Sequence, residues 1–345
     1  MKIAPIAAVI ARDGDQLRHT LVHTGQHYDS SMSQVFLDQL GVGEPNYHLG
    51  VGSGSATIQM ARTMERLEPV LADEAPDIVL VPGDVTSSLA AALVAVKMGI
   101  RIGHVEAGLR SFDRSMPEEI NRVITDSISD MLFTHSPEAR HHLRAEGRPD
   151  AAIHEVGNTM IDTLVAMGPT IACAETANRL ELPERGYLVV TLHRPALTDG
   201  PALVTTARRL EELAEFMPIV FPMHPRTRDR MRTRGVTLDH PSLQVLEPMG
   251  YVEFLSLVAT AAGVVTDSGG IQEETTYLGI PCFTLRDNTE RPITLTQGTN
   301  TLLGLAPDRI VDVPALLRNR AATTHQMPLG WDGRASERIL EIVRG

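Results

Sequence analysis

Three kinds of chemistry-bearing residue recur in this sequence just after short apolar runs. The first is a glycine turn, Thr266-Asp267-Ser268-Gly269-Gly270-Ile271-Gln272-Glu273-Glu274. The run before it reads as a strand, the two glycines let backbone N–H groups approach a ligand closely, and the following helix presents its positive dipole end. Such a turn can seat a phosphate, and Glu273 and Glu274, one turn inside, can accept hydrogen bonds from ribose hydroxyls. The same residues also fit an N-cap serine followed by acidic residues that the helix dipole favours, so the turn alone leaves ligand binding and capping equally open. Neither G-x-x-x-x-G-K-[ST] nor G-x-G-x-x-G occurs there.

The second kind is a set of carboxylates in the first half: Asp84 after Pro82-Gly83, Glu106 in His104-Val105-Glu106-Ala107-Gly108-Leu109-Arg110, and Glu118 and Glu119 in Pro117-Glu118-Glu119-Ile120-Asn121-Arg122. Carboxylates beside a cleft can move protons. Structural roles compete with that reading. Asp84 can cap a helix beginning near Thr86, and Ser115 with Glu118 fits a capping box with Pro117 in the first turn. Adjacent Glu118 and Glu119 point about 100° apart on a helix and cannot both face one site. Glu106 is different, because an acid beside a strand end with a glycine close behind is hard to explain by capping.

The third kind is histidine. His193 in Thr191-Leu192-His193-Arg194-Pro195 and His224 in His224-Pro225-Arg226-Thr227-Arg228 both follow predicted strands. The 13 histidines contain no His-Glu-x-x-His. His23 and His27 read as part of a turn, and the neighbours His141 and His142 cannot share a face, so no metal site is predicted. Gly50-Val51-Gly52-Ser53-Gly54 reads as a flexible loop, since no strand is predicted before it and no lysine follows. These residues together point to a nucleotide or nucleotide-sugar enzyme. Its phosphate seat lies in the second half, its carboxylates in the first, and His193 and His224 at the join.

The elements that must position these residues are alternating short strands and longer helices. Strands are predicted at Leu21–Thr24, Ile78–Val81, Ile102–Val105, Met131–His135, Leu188–Leu192, Ile219–Met223, Gly263–Thr266 and Pro281–Thr284. Helices are predicted at Ile3–Ala11, Thr57–Ala72, Ser88–Met98, Glu118–Ser129, Ala202–Phe216, Ile271–Leu278 and Arg334–Val343. Apolar strands separated by helices signal parallel βαβ units covered on both faces. The pattern runs twice, around a helical stretch near Ile161–Asn178. The expected fold is α/β, with two doubly wound domains facing a central cleft at the C-terminal strand ends. The expected boundaries are 1–165, 166–325 and a tail helix in 326–345 that returns to the first domain. Because Ile3–Ala11 reads as a helix, the sequence opens where a strand is expected to have just ended, so either the fold is edited here or a start upstream of Met1 is expected.

Composition bounds the function class. The 345 residues suffice for two domains, and 43% hydrophobic with 21% charged residues is the balance of a folded chain. With 31 Lys+Arg against 43 Asp+Glu the net charge is −12, which argues against nucleic-acid or anionic-membrane binding. Two cysteines, Cys173 and Cys282, exclude a disulfide framework and fit a cytoplasmic protein. No apolar run reaches the roughly 18–20 residues of a membrane span, and the N-terminus lacks a secretory signal.

Thr24-Gly25-Gln26-His27, Gly83-Asp84, His104–Arg110, Pro117–Arg122, Gly157-Asn158-Thr159, His193-Arg194, His224-Pro225, Thr266–Glu274 and Asp287–Pro292 cover nearly the whole chain. In that order they resemble the non-hydrolysing UDP-N-acetylglucosamine 2-epimerases. The resemblance implies two Rossmann-like domains in a glycosyltransferase B-like arrangement, a homodimer, no cofactor, and interconversion of UDP-N-acetylglucosamine and UDP-N-acetylmannosamine. It implies Asp84, Glu106, Glu118 and Lys2 as catalytic residues, with His193 beside the leaving group. It further implies Ser268, Gly269 and Gly270 at the diphosphate, Glu274 at the ribose, and Arg194 and Phe254 near the uracil. Arg291 would reach the sugar or phosphate, and His224 belongs to the same UDP-binding set.

Three departures from the family pattern stand out. Its opening strand and Gly-Thr-Arg-Pro-Glu loop, whose arginine assists the diphosphate, precede the lysine-containing part at which this sequence begins. Ala196 replaces the usual acid after His-Arg-x. Tyr28-Asp29-Ser30 differs from the set found with allosteric activation by UDP-N-acetylglucosamine, so that regulation is not expected. The alternatives are a hydrolysing relative releasing N-acetylmannosamine and UDP, and an inactive UDP-sugar-binding protein.

Overall fold

Runs of β-branched and aliphatic residues form parallel strands wherever helices cover both of their faces. The computed structural model describes residues 2–12, 17–25, 43–199, 201–320 and 325–345. Gln26, His27 and Tyr28-Asp29-Ser30 lie outside them. The chain divides into two compact units, Met1–Ala166 with Leu329–Gly345, and Met167–Pro328.

In the first unit, β1 (Val22–His23) pairs in parallel with β2 (Tyr47–His48). A four-stranded parallel sheet follows in the order β3 (Ile78–Pro82), β4 (Arg101–Val105), β5 (Met131–Thr134), β6 (Ile153–Glu155). One apolar cluster joins Leu67 and Leu71 of the helix Ala56–Glu74 to Val81, Ala92, Ala95 and Ile102. Another joins Ile6 to Val105, Phe133, Val156, Ile339 and Leu340. The N-terminal helix Ala4–Arg12 and the C-terminal helix Ala335–Arg344 therefore share a core with the middle of this sheet. The C-terminal helix has no side-chain cap of its own. Asp162 supplies one from a distance, accepting from Ala335 N–H at 3.0 Å and Ser336 N–H at 2.6 Å.

In the second unit, β7 (Leu188–Thr191), β8 (Ile219–Pro222), β9 (Leu243–Leu246), β10 (Gly263–Thr266), β11 (Cys282–Thr284) and β12 (Asn300–Leu302) form one parallel sheet. Its order is β12-β11-β10-β7-β8-β9. The chain starts at the centre, winds outward through β8 and β9, then returns to lay β10 beside β7 with Thr191 opposite Thr266. That reversal is a topological switch point, the position in open α/β sheets near which ligands bind. Leu203, Ala207, Leu210 and Leu213 of the helix Ala202–Ala214 cover one face of the sheet at helical spacing.

The strands β2, β6, β9 and β12, not predicted from the sequence, are short and each lies at the edge of its sheet. Gly50–Gly54 departs from the flexible loop expected for it. β2 leads into it, Ser55 caps the helix after it, and Arg66 and Arg62 of that helix hold its carbonyls, with Arg66 Nη1 2.7 Å from Leu49 O and Arg62 Nη1 3.2 Å from Val51 O.

Candidate active site

In the first unit the loops after β3 and β4 carry the candidate residues. Gly83 sits at φ +62°, and an added Cβ there would stand 2.5 Å from Lys2 Nζ and 3.2 Å from Glu106 Oε2. Only glycine fits both that backbone and that contact. Lys2 forms an ion pair with Glu106 directly over it. Glu106 is itself buried and strained at φ +72°, in a region that non-glycine residues rarely adopt. Its N–H and that of Ala107 both reach Phe133 O at 3.0 Å, which holds the strained turn in place.

Asp84 does not cap the next helix. Val85 holds the N-cap position of Thr86–Lys97 without a side-chain bond. The Asp84 carboxylate instead meets Arg122, with Nη2 and Nε 2.6 and 3.1 Å from Oδ2, while Asn121 Nδ2 donates to Asp84 O at 2.8 Å. The capping box expected at Ser115 and Glu118 is likewise not the arrangement found. Met116 is the N-cap of the helix Pro117–Ile128, and Ser115 Oγ donates to Asp113 Oδ1 at 2.6 Å. Glu119, not Glu118, turns inward, accepting from Ser111 N–H and Phe112 N–H, both at 2.9 Å, and from Arg122 Nη1 at 2.7 Å. Glu118 is exposed on the first turn. Lys2, Glu106 and Asp84 thus converge on the Gly83 turn, and Glu118 stands outside their bonding.

Beneath this turn lies a network that inspection of the sequence does not assign. His104 Nε2 is 2.8 Å from Gly83 O, and its Nδ1 is 2.6 Å from Asp126 Oδ1. Arg110 Nη2 is 2.7 Å from Asp126 Oδ2 and forks onto Glu146 at 2.6 and 2.7 Å. Burial works against the ionised form of Asp126, but His104 and Arg110 outweigh it and hold the carboxyl below its ordinary range. The available signal was alternation: in His104-Val105-Glu106 a strand residue faces the same side as the acid two positions on.

The second unit carries its candidate residues on the loops after β7, β8 and β10. Asp267, fully buried after β10, accepts from His193 N–H at 2.9 Å and Arg194 N–H at 2.7 Å through Oδ2, and its Oδ1 lies 2.8 Å from His193 Nδ1. Burial opposes its charge, yet the His193 ring and these backbone donors keep it below the usual carboxylate range. His224 is an exposed N-cap whose Nδ1 accepts from Arg226 N–H at 3.2 Å, and its ring lies 6.4 Å from that of His193. Burial, then the neighbouring His193 and Arg226, push its pKa down.

Ser268 occupies the N-cap of the helix Gly269–Leu278 without making a capping bond, so its hydroxyl and the first N–H groups of the helix face the same turn. Arg291 closes over this turn. Its Nη1 would be 2.7 Å from a Cβ at Gly269, and its Nε is 3.0 Å from Glu273 Oε2. Glu273 is therefore committed to Arg291. Glu274 is fully buried against Tyr251, and burial pushes its carboxyl up to about 8, the Tyr251 bond opposing and the Glu273 charge adding. Phe254, half-buried, lies one turn after Tyr251 on the helix Tyr251–Ala259. The second unit thus carries His193 and Arg194 after β7, His224 after β8 beside the His193 ring, and Ser268, Gly269 and Gly270 after β10 with Arg291 over Gly269. Asp267 and Arg122 are partners that the sequence motifs contain without a role, and Tyr251 lies outside those motifs.

Known proteins resemble this chain over nearly its full length. The chain is 42% identical over 339 residues to a UDP-N-acetylglucosamine 2-epimerase of Methanococcus maripaludis, covering 94% of this chain and 91% of that one. It is 39% identical to a UDP-2,3-diacetamido-2,3-dideoxy-D-glucuronate 2-epimerase of Pseudomonas aeruginosa, covering 95% and 91%. The crystal structure of Methanocaldococcus jannaschii UDP-GlcNAc 2-epimerase in complex with UDP-GlcNAc and UDP matches with a TM-score of 0.89 at 38% identity, covering 99% and 95%. Residues 10–344 match the UDP-N-acetylglucosamine 2-epimerase family, and the chain belongs to that family.

Proposed function

We propose that this protein reversibly epimerises carbon 2 of UDP-N-acetylglucosamine to give UDP-N-acetylmannosamine. The observation that carries the reading is the near-full-length match to the M. jannaschii enzyme in complex with UDP-GlcNAc and UDP. The chemistry explains why such a protein needs both carboxylates and a diphosphate seat. The carbon 2 proton is not beside a carbonyl and is too weakly acidic to remove directly. As the bond from carbon 1 to UDP breaks, carbon 1 gains oxocarbenium character and that proton becomes acidic. A carboxylate takes it, UDP leaves with the bonding pair, and a 2-acetamidoglucal remains. Return of a proton to the opposite face of carbon 2 and re-addition of UDP at carbon 1 complete the inversion.

Asp84, Glu106 and Glu118 supply the acids and bases, and the ion pair with Lys2 holds Glu106 in place. The departing diphosphate rests on Ser268, Gly269 and Gly270 at the helix N-terminus, with Arg291 above it. His193 meets the leaving oxygen, His224 belongs to the same UDP-binding face, Glu274 meets the ribose, and Arg194 and Phe254 flank the uracil. In this reading the unit Met1–Ala166 with its C-terminal tail handles the sugar, and Met167–Pro328 handles UDP. We assign the protein to the cytoplasm as a homodimer, on the strength of a sequence with only two cysteines and of the family resemblance. Among the described residues no helix is long and apolar enough to cross a membrane.

The test is proton NMR of the protein with UDP-N-acetylglucosamine in D₂O. Appearance of UDP-N-acetylmannosamine with deuterium at carbon 2 supports the proposal. Free N-acetylmannosamine with UDP would replace it by hydrolysis, and absence of exchange would overturn it. Turnover of the diacetamido uronate alone would narrow the substrate to that of the P. aeruginosa relative.

A further inference from the structure

Gln272 lies in the glycine-turn helix Gly269–Leu278, fully buried, and both of its polar atoms are bonded to protein. Nε2 donates to Ser268 O at 3.1 Å, and Oε1 accepts from Thr289 Oγ1 at 2.6 Å and from Asn300 Nδ2 at 2.9 Å. A carbonyl oxygen can only accept, so the Ser268 carbonyl fixes which end of the amide faces the turn. The other end must then receive donors, and the directions of the neighbouring bonds follow. Thr289 gives its hydroxyl proton to Gln272 and accepts the Arg291 N–H at 3.1 Å on the same oxygen. Asn300, on the edge strand β12, turns its NH₂ toward Gln272 and accepts from Thr284 Oγ1 at 2.6 Å through Oδ1.

One branch of this network ends on the Ser268–Gly269 peptide. A peptide unit is planar and trans, so pinning Ser268 O on one side aims the Gly269 N–H to the other. The second branch ends on the backbone of Arg291, whose guanidinium lies over Gly269, with Nη1 2.7 Å from where a Cβ would stand. We propose that Gln272 is a positioning residue for the diphosphate seat, holding the Ser268–Gly269 peptide and the Arg291 segment at the spacing that lets both donate to one diphosphate. The ligand in this proposal rests on the epimerase reading. Gln272 itself touches no ligand and acts through Gly269 and Arg291.

Two variants separate the seat from the rest of the unit. Gln272→Met keeps the length of the side chain and removes all three bonds, while Thr289→Val cuts only the branch to Arg291. NMR titrations with UDP and with uridine give the readout, because uridine carries no phosphate. Gln272→Met is expected to weaken UDP binding by about 10- to 100-fold and uridine binding by less than about threefold. Thr289→Val should weaken UDP alone, by about 3- to 10-fold. The double variant should bind UDP little worse than Gln272→Met, since Thr289 acts through the same amide. With UDP-N-acetylglucosamine, KM should rise with the UDP Kd while kcat changes less, as for an interaction made alike by bound substrate and departing UDP.

Equal losses for UDP and uridine mark a general loss of structure and overturn the proposal. So does a Gln272→Met protein that binds UDP as tightly as the wild type. If Gln272→Met fails to fold, Thr289→Val decides: a loss confined to UDP supports the proposal, and an unchanged UDP affinity overturns it. A wild type that binds no UDP overturns the epimerase reading and this proposal with it, whereas a wild type and variants that all bind UDP equally overturn this proposal alone.

Discussion

Arg122 stands between two carboxylates with separate duties: its Nη2 is 2.6 Å from Asp84 Oδ2 and its Nη1 is 2.7 Å from Glu119 Oε2. Glu119 shapes the Ser111–Phe112 turn, and Asp84 is a proposed catalytic acid. One guanidinium therefore couples the position of a reacting group to the fold of the loop after β4. Arg122→Met would leave Glu119 buried without its charge partner. It should cost about 3–5 kcal/mol of stability by denaturant titration. The epimerisation rate should fall by about 100-fold, since small misplacements of an acid are costly. Arg122→Lys, which keeps charge but not the fork, should lie between the two.

Gly83→Ala places a methyl group where Lys2 Nζ now sits, at a backbone φ of +62°. The strained backbone should cost about 1–3 kcal/mol. The larger effect should be on catalysis, because Lys2 is driven off Glu106. Deuterium exchange at carbon 2 should drop to the level of Lys2→Met, and combining the two changes should lower it little further.

Glu274 has a folded-state pKa of about 8 against an ordinary 4.5. The folded protein therefore holds a proton that the unfolded chain has released between those values, so stability falls as pH rises from about 4.5 and levels off above about 8. Glu274→Gln has no such proton to lose. Relative to wild type it should be similar at pH 4, and more stable at pH 8 by on the order of 4–5 kcal/mol. Thermal melts across that range measure the gap; a constant gap would show that Glu274 is ionised in the fold.

Asp126 behaves in the opposite sense. His104 and Arg110 hold its folded-state carboxyl below the ordinary range despite complete burial. Its contribution is present above the unfolded value of about 3.9 and is lost as pH falls through the folded one. Asp126→Asn should destabilise the protein by about 3–5 kcal/mol at neutral pH. The deficit should shrink on acidification below pH 4. Unfolding curves at pH 3 and pH 7 give the comparison.

The central strands were legible in the sequence because they are buried on both faces. Val189, Val190, Val264 and Val265 are fully buried, which writes continuous apolar runs into the chain. The turns after them were legible too, since Gly83 and Gly269 stand where backbone must come close to a charged side chain. The edge strands were not, because a strand such as Leu243–Leu246 buries too little to leave a run.

What tertiary structure decided was which polar residue partners which. Glu118 and Glu119 are equivalent in type and adjacent, and the helix orientation alone turns Glu119 inward to Arg122 and Ser111 and leaves Glu118 exposed. Asp267 lies 74 residues from His193 in the chain and becomes its partner only because β10 returns beside β7. Sequence by itself determined the residue types, the strand-and-helix alternation and the turns, since these follow from local hydrophobic period and backbone freedom. The pairing of buried charges followed from topology, because desolvated carboxylates must find donors and only the folded chain determines which donors are within reach.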